Sequence, residues 1–191
     1  MKAIVLEKFG GTECLIYKNI EKPEIKTHEV LIKVKAVSIN PVDIKVRSRQ
    51  APLAKELAQY NPLILGWDIS GEVVEVGSEV TQFHIDDEVF GMVNFVGHGK
   101  GYAEYVAAPA EHFTLKPKNI THIEAAASTM AALTAWQAFN SYGKLRSTDK
   151  VLIHAASGGV GHFAVQIAKY RGAYVIGTSS LSNRDFVLKQ G

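Results

Sequence analysis

One cysteine, Cys14, is all that the 191 residues contain. No internal disulfide can form and no cysteine-rich zinc site can be built, which points to a reducing compartment, with the cytoplasm as the default. Long apolar runs are also missing. The segment Ala3 to Leu6 stops at Glu7, too short for the core of a signal peptide. The uncharged run Ala125 to Asn140 falls short of the roughly 20 apolar residues of a membrane span. Rich in Ala, Ser and Thr, it is expected to form a buried helix pair. Blocks of one charge are absent too: the net charge is +2, with Lys and Arg scattered along the chain. Electrostatics therefore gives no case for nucleic acid or for an anionic membrane as a partner.

What is present is a glycine turn between an apolar strand and an amphipathic helix. Val151 to His154 lead into Ala155-Ala156-Ser157-Gly158-Gly159-Val160-Gly161, followed by a helical run from His162 to Arg171 and a second apolar run, Ala173 to Thr178. Such a βαβ unit places bare backbone N–H groups at a helix N-terminus, a cradle for phosphate. Gly158 and Gly161 take the second and third places of the G-x-G-x-x-G pattern, and Ala156 takes the first.

A further absence bears on the cofactor. NAD-binding units usually carry an acidic residue about 20 positions past the turn, to hold the ribose 2′-hydroxyl. Here the corresponding stretch is Ser179-Ser180-Leu181-Ser182-Asn183-Arg184, and no carboxylate appears before Asp185. Hydroxyls, an amide and a guanidinium suit a 2′-phosphate, because Arg offers bidentate charged hydrogen bonds. NADPH is therefore expected over NADH. A plainer role for Asn183 and Arg184 is to cap and solvate the helix that starts there.

With 47% apolar and 21% charged residues, the chain has the composition of a soluble globule. From Lys2 to about Leu115 it reads as short alternating strands punctuated by Gly and Pro, economically an irregular barrel. Val30, Ile32, Val34 and Ala36 alternate with Leu31, Lys33, Lys35 and Val37, and Ile69 to Val76 make a second strand. Asn40-Pro41 starts a turn of helix running to about Arg49, since Pro suits the first helical position and Asn can cap it. Ala51 to Pro62 reads as a loop with some helix. Near residue 120 alanine becomes common and the period turns helical. The domains are expected over residues 1–122 and 123–191. Lys189-Gln190-Gly191 looks like the close of a second helix with two parallel strands made, and such sheets need several strands. A fragment of a longer protein is expected.

Taken together, five stretches resemble the zinc-independent quinone oxidoreductases of the medium-chain dehydrogenase/reductase superfamily. They are Val37-Ser38-Ile39-Asn40-Pro41-Val42-Asp43, Leu65 to Val73 (LGWDISGEV), Gly101-Tyr102-Ala103-Glu104-Tyr105, Ala132 to Ala138 (ALTAWQA) and the glycine turn. The resemblance implies a GroES-like catalytic domain followed by the first half of a Rossmann doubly wound sheet. It also implies hydride transfer from NADPH in the cleft between the domains, and a homodimer. Zinc alcohol dehydrogenases of the superfamily have Cys where this chain has Asn40, and His-Glu where it has Trp67-Asp68. The soft and imidazole ligands are gone, and the seven histidines show no ligand spacing, so no metal site is expected.

Without a Lewis acid, the expected reaction is two-electron reduction of a quinone or an α,β-unsaturated carbonyl. By resemblance Asn40 faces nicotinamide and substrate, a role compatible with capping at Pro41, and Thr134 lies near nicotinamide and phosphates, or bonds its own preceding carbonyl. The turn residues Ala156, Ser157, Gly158, Gly159, Val160 and Gly161 would hold pyrophosphate. Ser179, Ser180, Asn183 and Arg184 would take the 2′-phosphate. Asp43 is read as structural, the partner of a nearby basic group. Several relatives place Tyr where this chain has Lys45, a cation that could stabilise an enolate or simply be solvated. Two other readings stay open: a zinc-free alcohol or aldehyde reductase, for which no Tyr-x-x-x-Lys pair is present, and a low-turnover NADPH-binding sensor.

Overall fold

The computed structural model describes residues 1–191. Contacts divide them into two compact units, Met1–Thr129 and Met130–Gly191, so the division falls inside the helix His122–Gln137.

In the first unit, β-branched residues at alternating positions make a five-stranded antiparallel sheet. Its long central strands are β3 (Glu29–Ser38) and β4 (Asp68–Val76). With β5 (Glu88–Met92), β6 (Tyr105–Pro109) and β7 (Phe113–Leu115) the order is β6-β3-β4-β5-β7. Val30 faces Val76 and Ile32 faces Val73, with register shifts at Leu31/Ile32 and Val34/Ala36. These bulges bend the sheet toward the expected irregular barrel. Val30, Ile32, Ile69, Val73, Val89, Val106 and Phe113 fill its core. Leu31 is fully buried as well, so the expected alternation along β3 does not leave one face wet at its start.

A smaller pair, β1 (Lys2–Leu6) and β2 (Leu15–Asn19), is tied in by bridges from Ala3 to Ala103 and from Leu6 to Leu63. Two short helices, α1 (Pro41–Arg47) and α2 (Leu53–Leu57), fill the connection from β3 to β4. Helix α3 (His122–Gln137) begins on a capping box, in which Glu124 accepts the N–H of Thr121 at 2.8 Å and the Thr121 hydroxyl accepts the N–H of Glu124 at 3.2 Å. Its first residue is fixed to the sheet: His122 Nδ1 lies 2.8 Å from Ser70 Oγ, and Nε2 lies 3.1 Å from Glu88 Oε1.

The expected helix pair over Ala125 to Asn140 is instead one helix. No Gly or Pro interrupts residues 122–137, so nothing breaks the ladder until it widens into a π-turn at Ala138–Tyr142, just before Gly143.

In the second unit, β8 (Lys150–Ile153) and β9 (Tyr174–Gly177) pair in parallel through the crossover helix α4 (Gly159–Tyr170), and α5 (Arg184–Lys189) follows. Helix α4 starts at Gly159, three residues before the expected His162. The core gathers Ala135, Ile153, Ala156, Ala164, Val165 and Ala168, with Phe163, Val175 and Val187 packed against it. No helix is long and apolar enough to cross a membrane.

Candidate functional site

In the first unit the expected residues centre on Asn40. Its extended backbone precedes Pro41, and Asn40 and Asp43 form a capping box with both arms present. Asp43 Oδ2 accepts the Asn40 N–H at 2.7 Å, and the Asp43 N–H donates to the Asn40 carbonyl at 3.0 Å. Asp43 Oδ1 accepts the Gly66 N–H at 3.1 Å. The Asn40 side-chain amide in turn donates to Asp68 Oδ2 at 2.8 Å. Both carboxylates are buried, 3% exposed for Asp43 and 1% for Asp68.

The Tyr102 hydroxyl, also buried, faces Asp43 in a contact that falls short of a well-formed hydrogen bond. Burial raises the pKa of Asp43, opposed by the Asn40 N–H, the facing Tyr102 hydroxyl and the Gly66 N–H. Burial also raises that of Tyr102, with the Asp43 charge adding to it. Gly66 makes this packing possible: its φ is +90°, and a Cβ there would lie 2.7 Å from Tyr102 Cε1. The expected partner of Asp43, a basic group, is therefore corrected. Backbone amides and a tyrosine surround it, because a helix start and a left-handed glycine bring donors to a carboxylate that is shut off from solvent.

Lys45 does not join this network. Two residues beyond Asp43 it lies roughly 200° around α1, and it is exposed.

In the second unit the turn is built around Ala155, a non-glycine residue with φ of +50°. Thr178 pins it: its carbonyl accepts the Ala156 N–H at 2.8 Å, and its Oγ1 accepts the Ala155 N–H at 3.2 Å. Gly158 caps α4, and the amides of Gly159, Val160 and Gly161 open the helix with no preceding turn to accept them. Nothing lies within 4 Å of a Cβ built on Gly159. One on Gly161 would overlap the Ala155 carbonyl and lie 2.8 Å from Ala156 Cα. An open approach on one glycine and close packing on the other fit a pyrophosphate held by backbone amides.

After β9, Ser179 and Ser180 stay exposed, and Ser180 Oγ lies 3.0 Å from Ser182 Oγ. Asn183 occupies the cap position of α5 but makes no side-chain cap hydrogen bond. Its amide reaches Ser157 Oγ at 3.2 Å, bringing two of the expected residues together. Arg184 opens α5, exposed and with no side-chain hydrogen bond holding it. Thr134 donates to the carbonyl of Met130 at 2.7 Å, the self-bonding arrangement noted from sequence. Sequence reasoning missed Asp68, Tyr102 and Thr178. For Thr178 the signal was the first hydroxyl after the β9 run; for Tyr102 it was the glycine at position 66.

Residues 26–118 match the alcohol dehydrogenase GroES-like domain. The chloroplastic quinone-oxidoreductase homolog of Spinacia oleracea is 37% identical over 183 residues, which are 93% of this chain and 55% of that protein. Among solved structures, the quinone oxidoreductase of Coxiella burnetii superposes with a TM-score of 0.93 at 42% identity, over 100% of this chain and 60% of that one. A mycobacterial protein solved in complex with NADPH is 29% identical, with a TM-score of 0.86, over 100% of this chain and 57% of its own. The chain thus spans between half and two thirds of the length of the proteins it matches. By sequence and fold, this chain is similar to the quinone oxidoreductases of the medium-chain dehydrogenase/reductase superfamily, with a GroES-like domain leading into the first half of a Rossmann sheet.

Proposed function

We propose that the full-length protein is an NADPH-dependent oxidoreductase that reduces a quinone or an α,β-unsaturated carbonyl without zinc. The observation that carries the reading is the pairing of two features. An open glycine cradle at the start of α4 is followed, beyond β9, by a carboxylate-free stretch, Ser179 to Arg184, and Asn183 already touches Ser157. The names of the quinone oxidoreductase relatives and the NADPH complex of the mycobacterial neighbour support it.

A nicotinamide held there would supply a hydride, which with one proton from water would convert a quinone to its hydroquinone, or saturate an enone after protonation of the enolate. The amides of Gly159, Val160 and Gly161 would hold the pyrophosphate. Ser179, Ser180 and Arg184 would bind the 2′-phosphate through hydroxyls and a guanidinium, with no carboxylate within the stretch Ser179 to Arg184. Asn40 would face the reacting groups, Thr134 would lie near the cofactor, and Lys45 would lend positive charge to the developing enolate. Zinc-free chemistry is supported by the residue types: Asn40, Trp67 and Asp68 offer no thiolate or imidazole. A cytoplasmic homodimer completes the reading.

The test is steady-state NADPH oxidation by chelator-washed full-length protein with a panel of quinones, enones and simple aldehydes. Turnover with quinones or enones and no stoichiometric zinc is expected. Turnover with aldehydes alone would favour an alcohol-type reductase, and tight NADPH binding without turnover would favour a sensor.

A further inference from the structure

We propose that Asp68 is a positioning residue that locks the Asn40 amide as a hydrogen-bond donor to a ligand carbonyl oxygen, an inference that rests on the functional reading above. A primary amide has one acceptor oxygen and two N–H donors. At Asn40 the capping box turns the oxygen side of the amide toward the Asp43 N–H, which itself donates to the Asn40 main-chain carbonyl at 3.0 Å, and one side-chain N–H is given to Asp68 Oδ2 at 2.8 Å. The main chain of the same residue is clamped by Asp43 at 2.7 Å. Flipping the amide would put its oxygen against a carboxylate oxygen and its NH2 against a helix amide. Both contacts would be repulsive inside a buried network.

What remains for a ligand is the second N–H. It can meet an oxygen and cannot meet a donor. Two such oxygens come with the proposed reaction, the carbonyl of the quinone or enone and the carboxamide oxygen of nicotinamide. In either case the lock is made before ligand arrives, so no amide reorganisation is needed on binding.

The experiment uses the full-length protein with Asp68→Leu, Asp68→Asn, Asn40→Ala and the double variant Asn40→Ala/Asp68→Leu. In cofactor-free protein, the Asn40 side-chain NH2 pair in a nitrogen-proton NMR spectrum is expected to collapse toward the free-amide position in Asp68→Leu. Asp68→Asn, whose amide oxygen can still accept, is expected to keep it displaced. In kinetics, Asp68→Leu is expected to lose about tenfold or more, Asp68→Asn to recover most of it, and the double variant to be no worse than Asn40→Ala alone. A loss carried by NADPH affinity assigns the carboxamide oxygen. A loss carried by kcat with the quinone assigns the acceptor oxygen. Additive losses in the double variant, or Asp68→Leu with wild-type kinetics, would overturn the positioning role while leaving the NADPH reading intact. Failure of the wild type to bind NADPH would overturn both.

Discussion

The two candidate regions, one in each unit, are built in opposite ways. Around Asn40, two buried carboxylates, a tyrosine with a buried hydroxyl and a left-handed glycine fix one side chain through bonds between residues far apart in sequence. Around the glycine turn the backbone is fixed, by Thr178 and by the packing of Gly161, while the side chains that would meet a phosphate are exposed and sparsely bonded. Rigid side chains suit a group that must be aimed. Rigid amides with adaptable hydroxyls and a guanidinium suit an anion that is approached from several directions.

The largest test of this contrast is Asp43→Ala, which strands the buried amides of Asn40 and Gly66 and removes the partner that Tyr102 faces. A loss of about 4 kcal/mol of stability is expected, since each unsatisfied buried group costs roughly 1–3 kcal/mol. Urea unfolding reads it directly, and a loss below about 1 kcal/mol would mean that the network is not the rigid half. Gly161→Val drives a side chain into the Ala155 carbonyl. It is expected to cost about 3 kcal/mol and to abolish NADPH binding in a fluorescence titration, whereas Gly159→Ala should be tolerated by the fold.

A pH titration probes the first unit alone. The Ile64 N–H donates to His98 Nε2 at 3.0 Å, and the Tyr60 ring lies 4.3 Å away. Burial, with the Lys100 charge adding to it, lowers the His98 pKa from 6.5 to about 4. The folded state thus holds neutral imidazole where the unfolded chain takes up a proton. The contribution is complete above pH 6.5 and is lost as pH falls toward 4, by at most about 3 kcal/mol. Stability measured across that window should fall in the wild type and flatten in His98→Gln.

Smaller still is Arg184→Ala, expected to raise the Michaelis constant for NADPH about tenfold and leave that for NADH unchanged. Lys45→Ala is expected to lower enone reduction by a few-fold; no change would remove Lys45 from the site.

Sequence patterns exposed the adaptable half better than the rigid one. Glycine spacing, the strand before it and the missing carboxylate after it are local signals, and the turn, α4 and β9 stand near where they were expected. So does α1, because Asn-Pro fixes a helix start by itself. Asp68 and Tyr102 lie in stretches that carry the resemblance, but nothing local to either marked its part in the network. Their roles arise when β4 and the loop before β6 bring residues 43, 68 and 102 together, a consequence of sheet register that alternation alone does not specify. The single long α3 was misjudged for a related reason: its Ala-rich sequence lacks the clear stripe that marks one helix from two.

The most direct measurement of the account is the ratio of kcat/KM for NADPH over NADH, with a quinone as acceptor, on the chelator-washed full-length protein. A preference for NADPH of about tenfold or more, lost in Arg184→Ala while the Asn40 network stays folded, is the predicted result. Equal use of the two cofactors, or a preference for NADH, would contradict it.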